Sequence, residues 1–189
     1  MVGLGNPGRE HEGTRHNVGV DVVELLASRG GERLKPSKDA AALVAEVRIG
    51  LEHRVALAFP TTYMNDSGRA VAPLVRRYGI DDPRRLVIVH DELDLPPGRL
   101  KIKDGGGLAG NNGLRSIRDH LHTTDFIRIR IGIGKPPGGS ERGADHVLSR
   151  PSKADRALFD VCIQEAADSI AVILDEGVEA AMARFNAQR

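Results

Sequence analysis

His16 is the side chain in this sequence best placed to act as a general base. It lies in a polar loop just ahead of an apolar helical pattern, with Asn17 beside it. An imidazole with an ordinary pKa of about 6.5 can take a proton from water at neutral pH. Such a base needs an orienting carboxylate, and Asp91, directly after the apolar run LVIVH, is the best candidate. We therefore predict a His16–Asp91 pair that activates water.

Other nucleophiles and metal sites are poorly supported by the sequence. Ser67 has no GxSxG context and fits the first turn of a helix. His11 and His16 are five residues apart, whereas the zinc-binding helix HExxH places its histidines one residue closer. The acidic run DELD (91 to 94) offers oxygen ligands for Mg²⁺, but a lone acidic loop is more often solvated. We expect no metal and no organic cofactor.

The segment from Gly3 to Gly8 reads GLGNPG and matches the GxGxxG pattern of dinucleotide-binding loops. That pattern needs a helix that begins within it, and Pro7 followed by REHEGTRH gives no apolar helical face. The next strand pattern ends in VRI, so no acidic residue closes it. We expect these glycines to form a tight turn, and we expect no nicotinamide cofactor to bind.

Three asparagines, Asn6, Asn65 and Asn112, lie in polar loops between the predicted elements. A side-chain amide can donate to a carbonyl oxygen and accept from a peptide N–H, so the three suit a peptide-like substrate and an oxyanion. A single asparagine in a turn is more often a cap or a left-handed residue, and both interpretations stay open here.

The segment DGGGLAGNNG (104 to 113) is rich in glycine but differs from a Walker phosphate loop, since no Gly-Lys-Ser/Thr follows. Gly110 and the glycines before it allow the backbone to approach a ligand closely. Either Asn111 or Asn112 can cap the helix predicted to follow.

Basic residues alternate along two predicted strands. Arg99, Lys101 and Lys103 share one face of the first strand, and Arg128 and Arg130 share one face of the second. Such a compact basic surface suits phosphate groups of a nucleic acid. A solvated sheet face explains the same pattern equally well.

Short apolar runs that fit β-strands alternate with helical patterns along the chain. LVIVH predicts a strand buried on both faces, whereas RLKIK and IRIRI predict strands buried on one face. We predict a three-layer α/β/α fold with a mixed, mostly parallel central sheet, and polar loops that gather at the strand ends. The strand patterns cover residues 1–4, 42–49, 55–59, 86–90, 99–103 and 127–134, and the helical patterns cover 17–29, 67–78, 112–121 and 153–175, with C-terminal helices over 153–187.

The composition is that of one globular domain over residues 1–189, with 40% hydrophobic and 28% charged residues. Aromatic residues make up only 3%, which argues against a protein that stacks bases on aromatic side chains. A net charge of +1 excludes a general nucleic-acid binder, so any RNA contact must come from a local cluster. Cys162 is the only cysteine and fits a buried position in a helix. Because the sequence shows no leader pattern, we expect a cytoplasmic protein.

The segment KPPGGSERGAD (135 to 145) is polar and rich in Gly and Pro, and a mobile flap near 135–146 or a plain spacer fits it equally. His90 ends an apolar strand pattern and fits a core histidine with satisfied hydrogen bonds. The remaining histidines fit surface or structural positions: His53, His120, His122 and His146.

Six motifs in the same order resemble those of the bacterial-type peptidyl-tRNA hydrolases. The motifs are VGLGNPG, TRHNVG, TTYMNDSG, HDELDLPPG, GGGLAGNNGLRSI and FIRIRIGIG, and they cover most of residues 2–134. The resemblance implies a monomeric α/β enzyme that needs no metal or organic cofactor. It also implies hydrolysis of the ester between a peptide, or another N-blocked aminoacyl group, and the 3′ ribose of tRNA. Peptidyl-tRNA is then the expected partner, and recycling of stalled tRNA is the expected role.

By position, the resemblance makes His16 the base that activates water and Asp91 its orienting carboxylate. It makes the segment near 135–146 a mobile lid. We add Gly110 and Lys101 to the binding residues from the loop and strand patterns above. The residues expected to position the substrate are Asn6, Met64, Asn65, Gly110 and Asn112, and those expected to bind tRNA phosphate are Lys101, Lys103 and Arg130.

Three positions depart from the family pattern: Asn111 replaces a frequent His, Ala109 replaces a Gly, and His11 replaces a frequent Tyr. These changes predict altered loop geometry and substrate affinity. Met1 falls inside a first strand that is usually longer, and a shortened central strand would lower stability. The alternative function is that of a catalytically weak RNA-binding relative with the same fold.

Overall fold

The computed structural model describes residues 1–136 and 143–187 as one β-sheet with helices on both faces. The strands are β1 (Val2–Gly3), β2 (Lys35–Pro36), β3 (Ala42–Ile49), β4 (His53–Pro60), β5 (Val87–Glu92), β6 (Leu100–Asp104) and β7 (Ile127–Gly132). The helices are α1 (Val18–Arg29), α2 (Ser67–Arg77), α3 (Asn112–Leu121), α4 (Gly143–Leu148), α5 (Lys153–Glu176) and α6 (Val178–Asn186). In these described residues the seven strands lie in the order β2-β3-β4-β1-β5-β7-β6.

The centre of the sheet is parallel and its margins are antiparallel. Strands β4, β1, β5 and β7 run in one direction. Strand β3 is antiparallel to β4, β2 is antiparallel to β3, and β6 is antiparallel to β7. Strand β2 therefore shares the direction of the central four, and only β3 and β6 oppose it within the described residues.

Two apolar cores flank the sheet and make three layers. One core joins α1, α5 and α6 to the sheet through side chains such as Val22, Phe159 and Phe185. The other joins α2 and α3 to the opposite face, with Val71 and Leu114 fully buried. Burial of so much aliphatic surface on both faces is the main force that holds these layers together. The predicted three-layer fold with a mixed, mostly parallel sheet is confirmed.

Strand β5 shows why a central strand is apolar throughout. Val87 and Val89 face the core of α1 and α5, whereas Ile88 between them faces the core of α2 and α3. Every residue of β5 is buried. The prediction that LVIVH is buried on both faces is confirmed, and the polar end of this strand brings Asp91 and Glu92 into the interior.

The polar loops after β1, β4 and β5 lie at one edge of the sheet because these strands are parallel. Strand β6 runs the other way, so Asp104 at its end pairs with Ile127 at the start of β7. The glycine-rich segment 105–111 thus starts at the opposite edge and passes over the sheet to reach α3. Its far end, from Ala109 to Asn112, lines the same cavity as the loops after β1, β4 and β5, as the expectation of polar loops gathered at one site requires.

The predicted elements agree with the structure to within about two residues at most boundaries, and two short elements were missed. Strand β2 has two exposed residues and no apolar alternation. Helix α4 occupies Gly143–Leu148, so part of the expected flap is helical. The middle of that flap, residues 137–142, lies outside the described residues. In the described chain, no helix is both long and apolar enough to cross a membrane.

Candidate active site

His16 and Asp91 are joined by a hydrogen bond. His16 lies in a short 3-10 turn, Arg15–Asn17, and Asp91 lies near the end of β5. The distance from His16 Nδ1 to Asp91 Oδ2 is 2.9 Å. Because an ionised carboxylate can only accept, this contact places the proton of neutral His16 on Nδ1 and leaves the Nε2 lone pair free. The arrangement is that of a general base held by a carboxylate.

The electrostatics of the pair strengthen the base. Burial lowers the pKa of His16, but the negative charge of Asp91 and its hydrogen bond raise it by more. The pKa of His16 therefore lies above its ordinary value of 6.5. An imidazole with a raised pKa holds an abstracted proton more firmly, and it loses its basic form when the pH falls through that pKa.

The turn that carries His16 is tied to the loop after β1 by two hydrogen bonds. The Asn6 backbone N–H donates to Asn17 Oδ1 at 2.9 Å, and Asn17 Nδ2 donates to the Asn6 carbonyl at 2.9 Å. Both residues are buried. Asn17 therefore supports the turn of His16, a role that the sequence analysis did not assign to it. Its position next to His16 in the sequence was the signal that could have indicated this role.

Asn6 has its side-chain orientation set by Met64. Asn6 Oδ1 accepts from the Met64 backbone N–H at 2.8 Å. A backbone N–H can pair only with an acceptor, so the amide oxygen must face Met64 and the Nδ2 group is left as a donor. In the described residues Asn6 Nδ2 has no hydrogen-bond partner, and Asn6 lines the cavity beside His16. The amide is thus set to donate to a ligand.

These residues surround one open cavity of about 640 Å³. Its wall combines the His16–Asp91 pair with amide groups from three loops and with apolar side chains of α4. A ligand with both peptide groups and apolar side chains matches such a surface. The lining residues named from the sequence are Asn6, His16, Met64, Asn65, Asp91, Gly110 and Asn112, and the others are Tyr63, Glu92, Leu93, Ala109, Asn111, Gly143, Ala144, Val147 and Leu148.

Two neighbouring asparagines at the start of α3 have different tasks. Asn111 Oδ1 accepts from the Leu114 backbone N–H at 3.0 Å, so Asn111 is the N-cap of α3. Asn112 accepts a long 3.5 Å contact from Arg115 and is exposed at the cavity. The structure therefore assigns the cap to the first of the two candidates. Ala109, which precedes them, adopts a left-handed φ of 49°.

The predicted basic surface is partly internal. Lys101 pairs in register with Arg130, and Lys103 pairs with Arg128, so the four side chains share one sheet face. Arg128 is buried, and its guanidinium donates to the carbonyls of Gly105 and Gly107. The expectation that IRIRI is buried on one face is wrong at Arg128, because the glycine-rich segment covers it.

The other basic residues differ in how strongly they are engaged. Arg130 donates through Nε and Nη2 to Glu92 Oε2, at 3.1 and 3.0 Å. Arg99 donates to the carbonyl of Asn186 at the end of α6. Within the described residues Lys101 and Lys103 form no ion pair. The two lysines are therefore free of competing ion pairs among the described residues of this face, whereas Arg130 shares its guanidinium with Glu92.

Glu92 is a buried carboxylate with a structural task. Besides the ion pair with Arg130, its Oε1 accepts from the Asp94 backbone N–H at 3.1 Å. No group of three His, Cys, Asp or Glu side chains in the described residues is arranged to hold a metal ion. Glu92, the second residue of the acidic run that could have supplied Mg²⁺ ligands, is thus already paired with Arg130.

His90 is buried beside Asp91, and burial lowers its pKa below the ordinary 6.5. Its Nδ1 lies 2.7 Å from the Asp91 carbonyl, but Nε2 has no partner within the described residues. The expectation of a fully satisfied core histidine is wrong at Nε2.

Two other predictions are confirmed. Ser67 begins α2, and Cys162 is buried, with burial raising the pKa of its thiol to about 12.

The glycine pattern near the N-terminus does not lead into a helix in this described part of the chain. A 3-10 turn at Arg9–His11 follows Gly8, and α1 begins only at Val18. A dinucleotide-binding loop would instead place a helix N-terminus directly against the glycines. The tight-turn interpretation of this segment agrees with Gly8 at a φ of 105°.

Comparison with known proteins gives one family. The family model described as Peptidyl-tRNA hydrolase matches residues 1–189. The peptidyl-tRNA hydrolase of Cutibacterium acnes is 47% identical, over 98% of this chain and 96% of that protein. The protein of the same name from Nocardia farcinica is 47% identical, over 96% of this chain and 92% of that protein.

The solved structures agree with the sequence comparison. The crystal structure of peptidyl-tRNA hydrolase from Acinetobacter baumannii matches with a TM-score of 0.93 at 41% identity, over 100% of this chain and 94% of that chain. The resemblance carried by the six motifs is confirmed. The chain belongs to the peptidyl-tRNA hydrolase family.

Proposed function

We propose that this protein hydrolyses the ester that links a peptide, or another N-blocked aminoacyl group, to the 3′ ribose of tRNA. The observation that carries the proposal is the His16 Nδ1 to Asp91 Oδ2 contact of 2.9 Å at an amide-lined cavity. A base with a free Nε2, and with no serine or cysteine side chain beside it among the described residues that line the cavity, suits attack by water. Family membership supports the same chemistry and substrate.

The reaction proceeds by addition and elimination at the ester carbonyl. His16 Nε2 takes a proton from water while the water oxygen bonds to the carbonyl carbon, and the carbonyl electrons move onto oxygen. The tetrahedral intermediate then collapses, the bond to the ribose 3′ oxygen breaks, and the His16 imidazolium returns its proton to that oxygen. Asp91 stabilises the imidazolium between the two steps.

The amides of the cavity serve the acyl part of the substrate. Asn6 Nδ2 is the donor available to the carbonyl oxygen as negative charge develops on it. Asn65, Asn112 and Gly110 extend the polar wall toward the peptide groups, and Met64 supplies apolar contact. This division places the ester at Asn6 and His16 and the peptide farther along the cavity.

The tRNA part binds through phosphate. Lys101 and Lys103 are free of ion pairs within the described residues, and each can neutralise a phosphate. Arg130 uses Nε and Nη2 for Glu92, which leaves Nη1 for a phosphate oxygen. We extend the proposal to a monomer that recycles tRNA in the cytoplasm, where translation supplies the substrate.

The alternative of a catalytically weak RNA-binding relative is not favoured. The full-length relatives at 44–47% identity are named as hydrolases. A binding protein also has no need for a histidine whose pKa is raised by a buried carboxylate.

The direct test is turnover of N-acetyl-aminoacyl-tRNA by the purified protein. We expect release of the N-acetyl amino acid and intact tRNA, at the same rate with and without EDTA. Binding of the RNA without release of the acyl group would support the alternative instead. A rate abolished by EDTA would contradict attack by a water that only His16 activates.

Asp91→Asn should change the pH dependence of kcat/KM as well as its size. The neutral amide removes the charge that raises the pKa of His16, while burial still lowers it, so the acidic limb of the profile moves to lower pH. The plateau falls by about 10²-fold, because the neutral amide no longer fixes the orientation of the imidazole as a carboxylate does and no longer stabilises the imidazolium. A pH–rate profile of both proteins measures the two effects.

Asp94→Asn is the matched control, since Asp94 lies in the same acidic run but pairs with Lys135 at 2.7 Å. We expect its acidic limb to stay at the wild-type pH. An unmoved limb in Asp91→Asn would show that Asp91 does not set the basicity of the catalytic base.

A further inference from the structure

Arg15, the residue before His16, is buried and holds the chain that follows α4. Its Nη1 donates to Ser149 Oγ at 2.7 Å and to the Arg150 carbonyl at 2.8 Å. Its Nη2 lies 3.1 Å from Asp155 Oδ2 at the start of α5. Only 9% of the side chain is exposed. Both terminal nitrogens of the guanidinium are therefore committed to protein groups, Nε has no partner within the described residues, and Arg15 is not among the described residues that line the cavity of His16.

The main chain makes the same connection. The Arg15 backbone N–H donates to the Ser149 carbonyl at 3.1 Å. Ser149 in turn closes the end of α4, because its N–H and its Oγ both donate to the His146 carbonyl, at 3.1 and 2.7 Å. The C-terminal end of α4 is thus fastened to the turn that carries His16.

Helix α4 supplies one wall of the cavity. Its lining residues are Gly143, Ala144, Val147 and Leu148. Leu148 lines the cavity and keeps 44% of its surface exposed, so its side chain is accessible to a ligand there. This wall is apolar, whereas the opposite wall carries the amides.

Arg15 and His16 share one 3-10 turn of three residues, so their backbones move together. Any shift of α4 must therefore break the contacts of Arg15 or move the base with the wall. A change of about 1 Å in the distance between a bound acyl group and its base is enough to slow a reaction by a large factor.

We propose that Arg15 is a positioning residue that keeps the apolar wall of α4 in register with His16. An acyl group with an apolar side chain packs on that wall, and Arg15 makes this packing place the ester at the base. The inference rests on the proposed function, because it needs an acyl substrate. It predicts that loss of Arg15 harms substrates that contact the wall more than substrates that do not.

The test compares N-acetyl-leucyl-tRNA with N-acetyl-glycyl-tRNA, which has no side chain to reach the wall. In Arg15→Met, we expect the KM for the leucyl substrate to rise by about tenfold, with a much smaller change for the glycyl substrate. Arg15→Lys, which can still donate to Ser149 or Arg150, should restore part of the preference. Ser149→Ala, which removes one acceptor, should shift the preference in the same direction by less.

Arg156→Met is the matched control. Arg156 joins α1 to α5 through Asp21 at 2.9 Å and, within the described residues, forms no hydrogen bond or ion pair with α4. The Arg156→Met variant is expected to have a lower melting temperature, while the ratio of its two KM values stays at the wild-type value. A merely structural role of Arg15 would give this same result for Arg15→Met.

The outcomes separate the inference from the proposed function. If the wild-type protein cleaves neither substrate, the proposed function fails. If it cleaves both and no Arg15 or Ser149 variant changes the KM ratio, the proposed function stands and the role of Arg15 is overturned. Should Arg15→Met fail to fold, Arg15→Lys and Ser149→Ala decide the question by the same ratio.

Discussion

His16→Ala is expected to lower kcat for N-acetyl-aminoacyl-tRNA by about 10³-fold while KM stays within a small factor of the wild-type value. In the proposed complex the substrate also contacts the other side chains that line the cavity, so its binding does not depend on the imidazole alone. The chemical step does depend on it, because His16 is the imidazole that pairs with the Asp91 carboxylate and lines the cavity, whereas buried His90 contacts the Asp91 carbonyl and is not among the described lining residues. Single-turnover kinetics with saturating enzyme measures this step directly.

The matched control is His53→Ala. His53 is partly exposed at the start of β4 and pairs with Asp175 at 2.9 Å, away from the cavity. It should retain the wild-type rate. A wild-type rate in His16→Ala would remove the general base from the mechanism and would leave the family fold without the proposed chemistry.

The three-layer fold could be predicted because its signals are local. Apolar runs such as LVIVH need no knowledge of their neighbours to be assigned as buried strands. The gathering of His16, Asn6 and Asp91 could be predicted for the same reason. Loops after parallel strands meet at one edge whatever the order of the strands.

The glycine-rich segment could not be placed in the same way, because the direction of β6 depends on a partner distant in the sequence. Alternation in RLKIK and IRIRI predicts which side chains share a face, and the register of Lys101 with Arg130 agrees with it. Alternation does not say what covers that face. The glycine-rich segment covers Arg128. This expected surface cation is instead buried and donates hydrogen bonds to the carbonyls of Gly105 and Gly107.

The role of Arg15 was hidden for a related reason. Its partner Ser149 lies 134 residues away in the sequence. The sequence between β7 and α4 is rich in glycine and proline and therefore gave no prediction of the helix that Ser149 closes. In TRHNVG, a basic residue before a catalytic histidine suggests surface charge more readily than a buried anchor. Only the packed structure shows that Nη1 and Nη2 of this arginine donate to the chain that follows α4.

Asn6→Asp is expected to lower kcat by about 10²- to 10³-fold. The carboxylate keeps an oxygen for the Met64 backbone N–H, so the contact that orients the side chain survives. It loses the Nδ2 donor and places a negative charge where the oxyanion forms. The variant therefore tests donation to the transition state separately from the structural role of Asn6.

Asn6→Ala provides the comparison, because it removes the acceptor as well as the donor. Leaving the buried Met64 N–H without a partner should cost about 1–3 kcal/mol of unfolding free energy, measured by urea denaturation, in addition to the loss of rate. Rates are compared at a pH above the acidic limb, since a new carboxylate near His16 also raises the pKa of the base. If Asn6→Asp hydrolyses the substrate at the wild-type rate, the oxyanion is stabilised by other donors, and Asn6 serves only to hold Met64 and the loop after β1 in place.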